Sequence, residues 1–396
     1  MHETRGDVRW DPWDPEIFAD PYPTYRRLRD EAPLYRNDEH DFWALSRFDD
    51  VERGLRDPAT FSSAKGNIVE LIQAEVDLPP GTVIMEDPPA HTVHRKLMSR
   101  MFTPRRVEEL EPQIRRFCVE CLDPLVGSRR FDLIEEFGAQ MPMRVIGMLM
   151  GIPEADQTSI RDRTDSNLRT KVGEKMSTDR TLTNERFADY IDWRAENPSD
   201  DLMTELMSAE FTDADGEVRR LNRDELITYM SVVTGAGNET TNRLIGWAGK
   251  LLADHPDQRR APVDEPALIP AAVEEVLRFQ PPGPAVARYM TTDVEFHDEV
   301  VPSGSAMVFL VAAANRDELR WTDPEAFDIH RQQLAHLTFG YGIHFCLGAA
   351  LARIQGRIAL EELLKRFPDW EIEPGTANLS QTSTVRGFEK LPIVIA

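Results

Sequence analysis

The stretch that decides the reading is FGYGIHFCLG, Phe339 to Gly348, running into the helical pattern LGAALARIQGRIALEELLKRF, Leu347 to Phe367. Three glycines and one cysteine, Cys346, share this ten-residue loop. Glycine permits positive φ and lets backbone come close to a ligand. The helix that begins after the cysteine turns free N–H groups and the positive end of its dipole towards the loop, a setting that favours a thiolate over a thiol. A thiolate held by peptide N–H groups suits a metal ligand. A buried cysteine in a tight turn fits the same residues.

Outward from the loop, the chain reads as mostly helix. The longest pattern runs from Asn222 to His255, with Asn222 and Glu225 at capping-box spacing and Pro256 ending it. At ~1.5 Å per residue it spans on the order of 50 Å. Its first half, LITYMSVVTGAG, is apolar nearly all round and is expected to run through the core. Further helices are expected from Pro89 (PPAHTVHRKLMSRMF), over 104–125 and 138–150, and from Pro270 to just before Pro281 (PAAVEEVLRF). MVFLVAAA and the C-terminal LPIVI read as strands.

Midway along the long helix stands AGNETT, Ala236 to Thr241. Glycine, asparagine and threonine are poor helix formers, so their clustering predicts a local distortion with a purpose. Glu239 is a carboxylate in an apolar helix and must be paired, hydrated or protonated. It is either an ion-pair partner of a distant arginine or an acid that supplies protons relayed by a hydroxyl. A mid-helix glycine also leaves room for a small ligand. Glu275 and Arg278, three apart, share a helix face, which by itself means only a possible ion pair. His91 and Arg95 are likewise one turn apart in EDPPAHTVHRKL, Glu86 to Leu97.

Composition narrows the class. The chain has 396 residues, 41% of them hydrophobic, enough for a large core. Its net charge of −23 argues against nucleic acid and against an anionic membrane surface. No stretch is long and apolar enough to span a bilayer, and the N-terminus lacks the apolar core of a signal peptide. Three cysteines suit a reducing compartment, so a cytoplasmic protein is expected. Cys118 and Cys121 form a C-x-x-C with no second half of a zinc site, on a segment that reads as an amphipathic helix, and are expected to face the core. No repeat or flexible linker divides the chain, which is expected to form a single domain over 1–396, with the first ten residues loose.

The Phe339–Gly348 loop resembles the haem-binding loop of the cytochrome P450 family, and the other motifs follow in that family's order, from ADPYPTYRRLRDEAP near the start to TSTVRGFEKLPI near the end. The resemblance implies a mainly α fold, a large helical domain with small β-sheets around a buried haem. It implies haem b, with Cys346 as the axial ligand of the iron and Phe339 and Gly340 in the loop around it. It places His91, Arg95, Arg288 and His344 on the haem propionates, and makes Glu275, Arg278 and Arg331 a buried structural network behind the loop. It makes Glu239 the acid and Thr240 the alcohol of a proton relay to dioxygen. It puts substrate against the loop near residues 64–88, the 160–200 region, Val232, Val233, Ala236, the Pro284–Val286 segment with Ala285 and Val286, and Thr384 and Val385.

The activity this resemblance implies is monooxygenation: one oxygen atom from O2 enters an apolar small molecule such as a terpenoid, steroid, fatty acid, polyketide or aromatic compound. The chain has no flavin, nicotinamide or iron–sulfur domain of its own. Electrons are therefore expected from NAD(P)H through a ferredoxin reductase and a ferredoxin, docking near Arg100, Arg353 and Arg357. A monomer is expected. A peroxide-driven peroxygenase and a non-catalytic haem sensor or carrier are the competing readings; the acid–alcohol pair argues against both.

Overall fold

The computed structural model describes residues 8–168, 184–332, 334–380 and 382–395, and of 163–168 and 184–186 the backbone only. The expected loose N-terminus falls mostly on 1–7, outside the described residues. Residues 8–10 depart from that expectation, because Val8 and Trp10 are buried and Trp10 exchanges hydrogen bonds with the Tyr35 hydroxyl.

The long helix spans Arg223–Asp254. Both arms of the capping box form: Asn222 Oδ1 accepts from Glu225 N–H at 2.9 Å, and Glu225 Oε2 accepts from Asn222 N–H at 2.8 Å. Pro256 opens the next helix. The helix runs unbroken through AGNETT.

Two apolar cores share this helix. Its C-terminal half (Leu244, Ile245, Trp247, Leu251) packs with the post-cysteine helix Ala349–Arg366, with the helix Ile269–Phe279 and with Phe137. Its N-terminal half (Leu226, Tyr229, Met230, Val233) packs with Leu97 and Met98 of the helix Ala90–Ser99, with Met143 and Ile146 of the helix Gln140–Met150, and with Val83. The AGNETT segment lies at the seam between these cores.

The expected helix over 104–125 is interrupted. It divides into Pro104–Glu109 and Glu111–Leu122, because Pro112 sits in the first turn of the second piece, where its missing N–H costs nothing. Cys118 lies in the core and Cys121 packs against it; burial pushes both thiols up. The expected helix over 138–150 begins at Gln140, after a wide turn over Ile134–Gly138.

The largest sheet has five strands in the order Leu34–Asn37, Phe42–Leu45, Ala306–Phe309, Val286–Met290, Phe61–Ser62. Met307 opposes Arg288 in antiparallel register, which fixes Arg288 on a strand. MVFLVAAA is thus a strand only to Phe309; Val311–Ala314 form a helical turn, since the alanines pack without needing an extended chain. LPIVI does form a strand, Pro392–Ile395, between Arg130–Asp132 and Trp370–Ile372. Among the described residues no helix is long and apolar enough to cross a membrane.

Candidate active site

The cysteine loop is shaped by glycine where no other residue fits. Gly340 and Gly342 have φ of +68° and +67°. A Cβ on Gly342 would also stand 2.7 Å from the Leu55 carbonyl oxygen. The loop closes through Cys346 N–H, which donates to the Phe339 carbonyl at 2.7 Å. Phe339 is buried, with the Arg353 guanidinium 4.4 Å above its ring. Cys346 sits deep among protein atoms, yet its own surface is open, as befits the wall of a cleft. Burial, the largest influence, pushes the thiol up, and the Gly348 N–H with Arg95 and Arg353 recovers only part of this. A bound cation is what would complete deprotonation.

Behind the loop, Arg278 forms a two-pronged bond to Glu275 (2.7 and 2.8 Å) and donates to the carbonyls of Asn315, Pro324 and Ala326. Arg331 adds a bond to Glu275 at 3.3 Å and to the Asp323 and Ala326 carbonyls. The network continues into the loop. Asn315 Oδ1 accepts from Leu337 N–H at 2.8 Å, and its amide donates to Thr338 Oγ1 at 2.9 Å, which in turn donates to Leu277 O. Asn315 and Thr338 thus connect the expected trio to Phe339; no local sequence signal marks them.

Across the seam, Ala236 is exposed and Thr240 half-buried in the middle of a helix otherwise enclosed. Leu347, beside Cys346, and Val232 pack against the same apolar core, of which Val233 is a member. Thr240 Oγ1 donates to the Ala236 carbonyl at 2.8 Å. Glu239 points elsewhere. Its Oε2 accepts from Arg243 at 2.7 Å, both side chains are 2% exposed, and Arg243 donates on to the Phe388 carbonyl. The arginine partner is therefore one turn away on the same helix, not distant. A Cβ on Gly237 would come within 2.5 Å of Ile146 Cδ1, so this glycine lets the helix Gln140–Met150 pack closely.

The four expected cationic side chains do converge. The His91 and His344 rings lie 4.3 Å apart, and Arg95 donates to the Phe345 carbonyl. His344 Nε2 lies 3.0 Å from Ser63 Oγ. Burial, together with Arg288, His91 and Arg95, pushes His344 down to about 3. Burial lowers Arg288 to about 10 and, with Arg95, lowers His91. Both His91 ring nitrogens are buried without a hydrogen-bond partner, and the hydrogen bond found for Arg288 goes to the adjacent Ala287 carbonyl. Asp87 is the nearby counter-charge, and it is occupied by Ser62 Oγ and Ser63 N–H at 2.5 and 2.9 Å. Buried Arg288 and half-buried Arg95, beside two neutral imidazoles of which His91 has no partner, fit a ligand bearing carboxylates, as the two propionates of haem would supply.

Of the expected substrate-contacting residues, Val232, Ala285, Val286 and Thr384 are half-buried, Ala236 exposed, and Val233 and Val385 buried. The Pro282 carbonyl accepts from Arg386 N–H at 2.7 Å, which brings the Ala285 and Thr384 segments side by side. Part of the 160–200 region, 169–183, lies outside the described residues. The expected positive patch is largely neutralised. Arg353 is bound twice by Glu274, and Arg357 by Glu111 and Glu361, leaving Arg100 exposed.

The family model described as Cytochrome P450 matches residues 263–392. Cytochrome P450 130 of Mycobacterium tuberculosis is 38% identical over 385 residues, covering 94% of each chain. Cytochrome P450 CYP109Q5 from Chondromyces apiculatus superposes with a TM-score of 0.86 at 34% identity, over 98% of both chains. A mutant of P450 EryK in complex with erythromycin B superposes with a TM-score of 0.85 at 31% identity, over 95% of this chain and 96% of the other.

Proposed function

Because the chain belongs to the cytochrome P450 family and is therefore a haem-thiolate monooxygenase, we propose that Cys346 would hold the iron of haem b and that the space between its loop and Ala236–Thr240 is the cleft where an apolar small molecule would be oxidised. The observation that carries this reading is the convergence of His91, Arg95, Arg288 and His344 beside the cysteine loop, with Arg288 buried and both His91 ring nitrogens without a partner. These four would hold the propionates, and Phe339 and Gly340 would shape the loop beneath the ring. When bound, haem b supplies the activation of O2 and the insertion of one oxygen atom into substrate.

The chain's own residues do the rest. The network of Glu275, Arg278 and Arg331 keeps the loop in register through Asn315 and Thr338. Thr240 faces the cleft with lone pairs free to accept a proton while its O–H is held by Ala236. Glu239 is the acid behind it, and its carboxylate must swing from Arg243 to pass a proton forward. Val232, Ala236, Ala285, Val286, Thr384 and the buried Val233 and Val385 offer mostly aliphatic surface, which supports an apolar substrate.

The chain is proposed to act as one domain, as a cytoplasmic monomer, with electrons from NAD(P)H through a ferredoxin reductase and a ferredoxin. The test compares product formed from an apolar compound library with NADH plus a surrogate ferredoxin and its reductase against product formed with hydrogen peroxide alone. The reductase-driven reaction is expected to be the faster; faster turnover with peroxide alone would overturn the electron-transfer reading.

A further inference from the structure

The C-terminal hairpin, Asn378–Leu379 with Phe388–Lys390, lies against the long helix. Two side chains one helical turn apart hold it there. Trp247 Nε1 donates to the Arg386 carbonyl at 2.9 Å, and its ring meets the Phe388 ring at 4.6 Å between centroids. One turn earlier, Arg243 donates to the Phe388 carbonyl through one terminal nitrogen and to Glu239 Oε2, at 2.7 Å, through the other. A single guanidinium therefore ties the Glu239 carboxylate to the hairpin.

The fit around Arg243 is close. A Cβ on Gly387 would stand 2.6 Å from Arg243 Cδ and 2.8 Å from its Cβ, so only glycine lets the strand lie this near the helix. The turn that leads into Gly387 is fixed from its other side. Arg386 N–H donates to the Pro282 carbonyl at 2.7 Å, and its guanidinium donates to Gln280 Oε1 at 2.8 Å and to the Ala19 carbonyl at 2.7 Å. Within the turn, Thr382 Oγ1 donates to the Val385 carbonyl at 2.6 Å, and Ser380 N–H to the Gly387 carbonyl at 2.8 Å. The position of Arg243, and with it that of Glu239, is thus set by a strand 145 residues further along the chain.

We propose that Arg243 is a positioning residue which, held by the C-terminal hairpin, keeps Glu239 turned from Thr240, so that the fit at Gly387 sets how readily the acid delivers a proton. An arginine suits this role. Its charge stabilises a carboxylate that burial alone would drive towards the neutral acid, and its planar fork serves two acceptors at once. Thr384 and Val385 belong to the same turn, so the acid is coupled to the segment read above as contacting substrate. The proposal rests on the reading of Glu239 as the acid of the relay.

The test uses haem-loaded protein with NADH, a surrogate ferredoxin and its reductase, and no substrate. It measures hydrogen peroxide released per NADH consumed. Better proton delivery reduces dioxygen to water, which takes four electrons, instead of releasing peroxide, which takes two. Gly387→Ala, which displaces Arg243, and Arg243→Gln are each expected to lower the ratio to about half or less. Arg243→Lys, which keeps the charge, should lower it less than either. Adding Glu239→Gln to Gly387→Ala or to Arg243→Gln should abolish the fall. A second readout needs no turnover: the infrared band of a protonated carboxyl should appear in Arg243→Gln and vanish when Glu239→Gln is added, because a buried carboxylate that loses its cation takes up a proton. Haem content reports on folding, and Arg243→Gln keeps the test alive if Gly387→Ala does not load haem. A ratio unchanged in both single variants overturns the proposal, as does a fall that survives Glu239→Gln or an Arg243→Gln spectrum without the carboxyl band. Glu239→Gln alone is expected to raise the ratio; if it changes the ratio in no background, the reading of Glu239 as the acid fails as well.

Discussion

Thr240 and Glu239 are adjacent in the chain and about 100° apart around the helix, so the hydroxyl turns to Ala236 while the carboxylate turns to Arg243 and, through it, to Phe388. The hydroxyl is thus in place, whereas the acid is held by Arg243 in a dry setting where an ion pair is tight. Thr240→Ala is expected to keep NADH consumption, to release more hydrogen peroxide, and to lower product per NADH by roughly tenfold or more. Measuring NADH, peroxide and product together checks this; unchanged coupling would remove Thr240 from the relay. At this scale the sequence was half informative. The motif marked both residues, but the partner of Glu239 depended on which rotamer the surrounding strands allow. Gly387 leaves the space that Arg243 fills, for a Cβ there would lie 2.6 Å from its Cδ, and nothing near AGNETT announces that.

Elements bounded by local chemistry were legible. The capping box of the long helix and the glycine-determined cysteine loop form as read, because cap and turn geometry depend on residues within a few positions. An element decided by packing was not: the alanines after Phe309 turn helical. The run over 104–125 divides near Pro112, although that proline is a local helix-start signal. Connections between elements were harder still. Glu274 joins the helix Ile269–Phe279 to the post-cysteine helix through Arg353 (2.7 and 3.0 Å) and meets His336 at 3.2 Å. Burial pushes Glu274 up, but His336 and Arg353 more than offset this and hold it at about 2. Its folded-state pKa lies below its unfolded value of ~4.3, so the stability it contributes is complete above about pH 5 and is lost as pH falls towards 2. Glu274→Gln should flatten the loss of stability across that window, by on the order of 2 kcal/mol, in urea unfolding at stepped pH. An identical pH slope in the variant would show that the link contributes nothing.

The whole molecule is organised around a seam. Two apolar cores grip opposite halves of one 32-residue helix, and AGNETT, the segment that carries Glu239 and Thr240, lies between them. Apolar cores supply rigidity on either side, while the polar and small residues, which neither core could absorb without cost, gather where a cofactor would satisfy them. The family's fold over nearly the full chain, at a TM-score of 0.86, agrees with that division. The central claim is that Cys346 is the sulfur on the haem iron. It is tested most directly by the absorption spectrum of the reduced, CO-bound protein. The account predicts a Soret band far to the red of that of histidine-ligated haem, lost in Cys346→Ala and kept in Cys118→Ala and Cys121→Ala. A red-shifted band that survives in Cys346→Ala would contradict it.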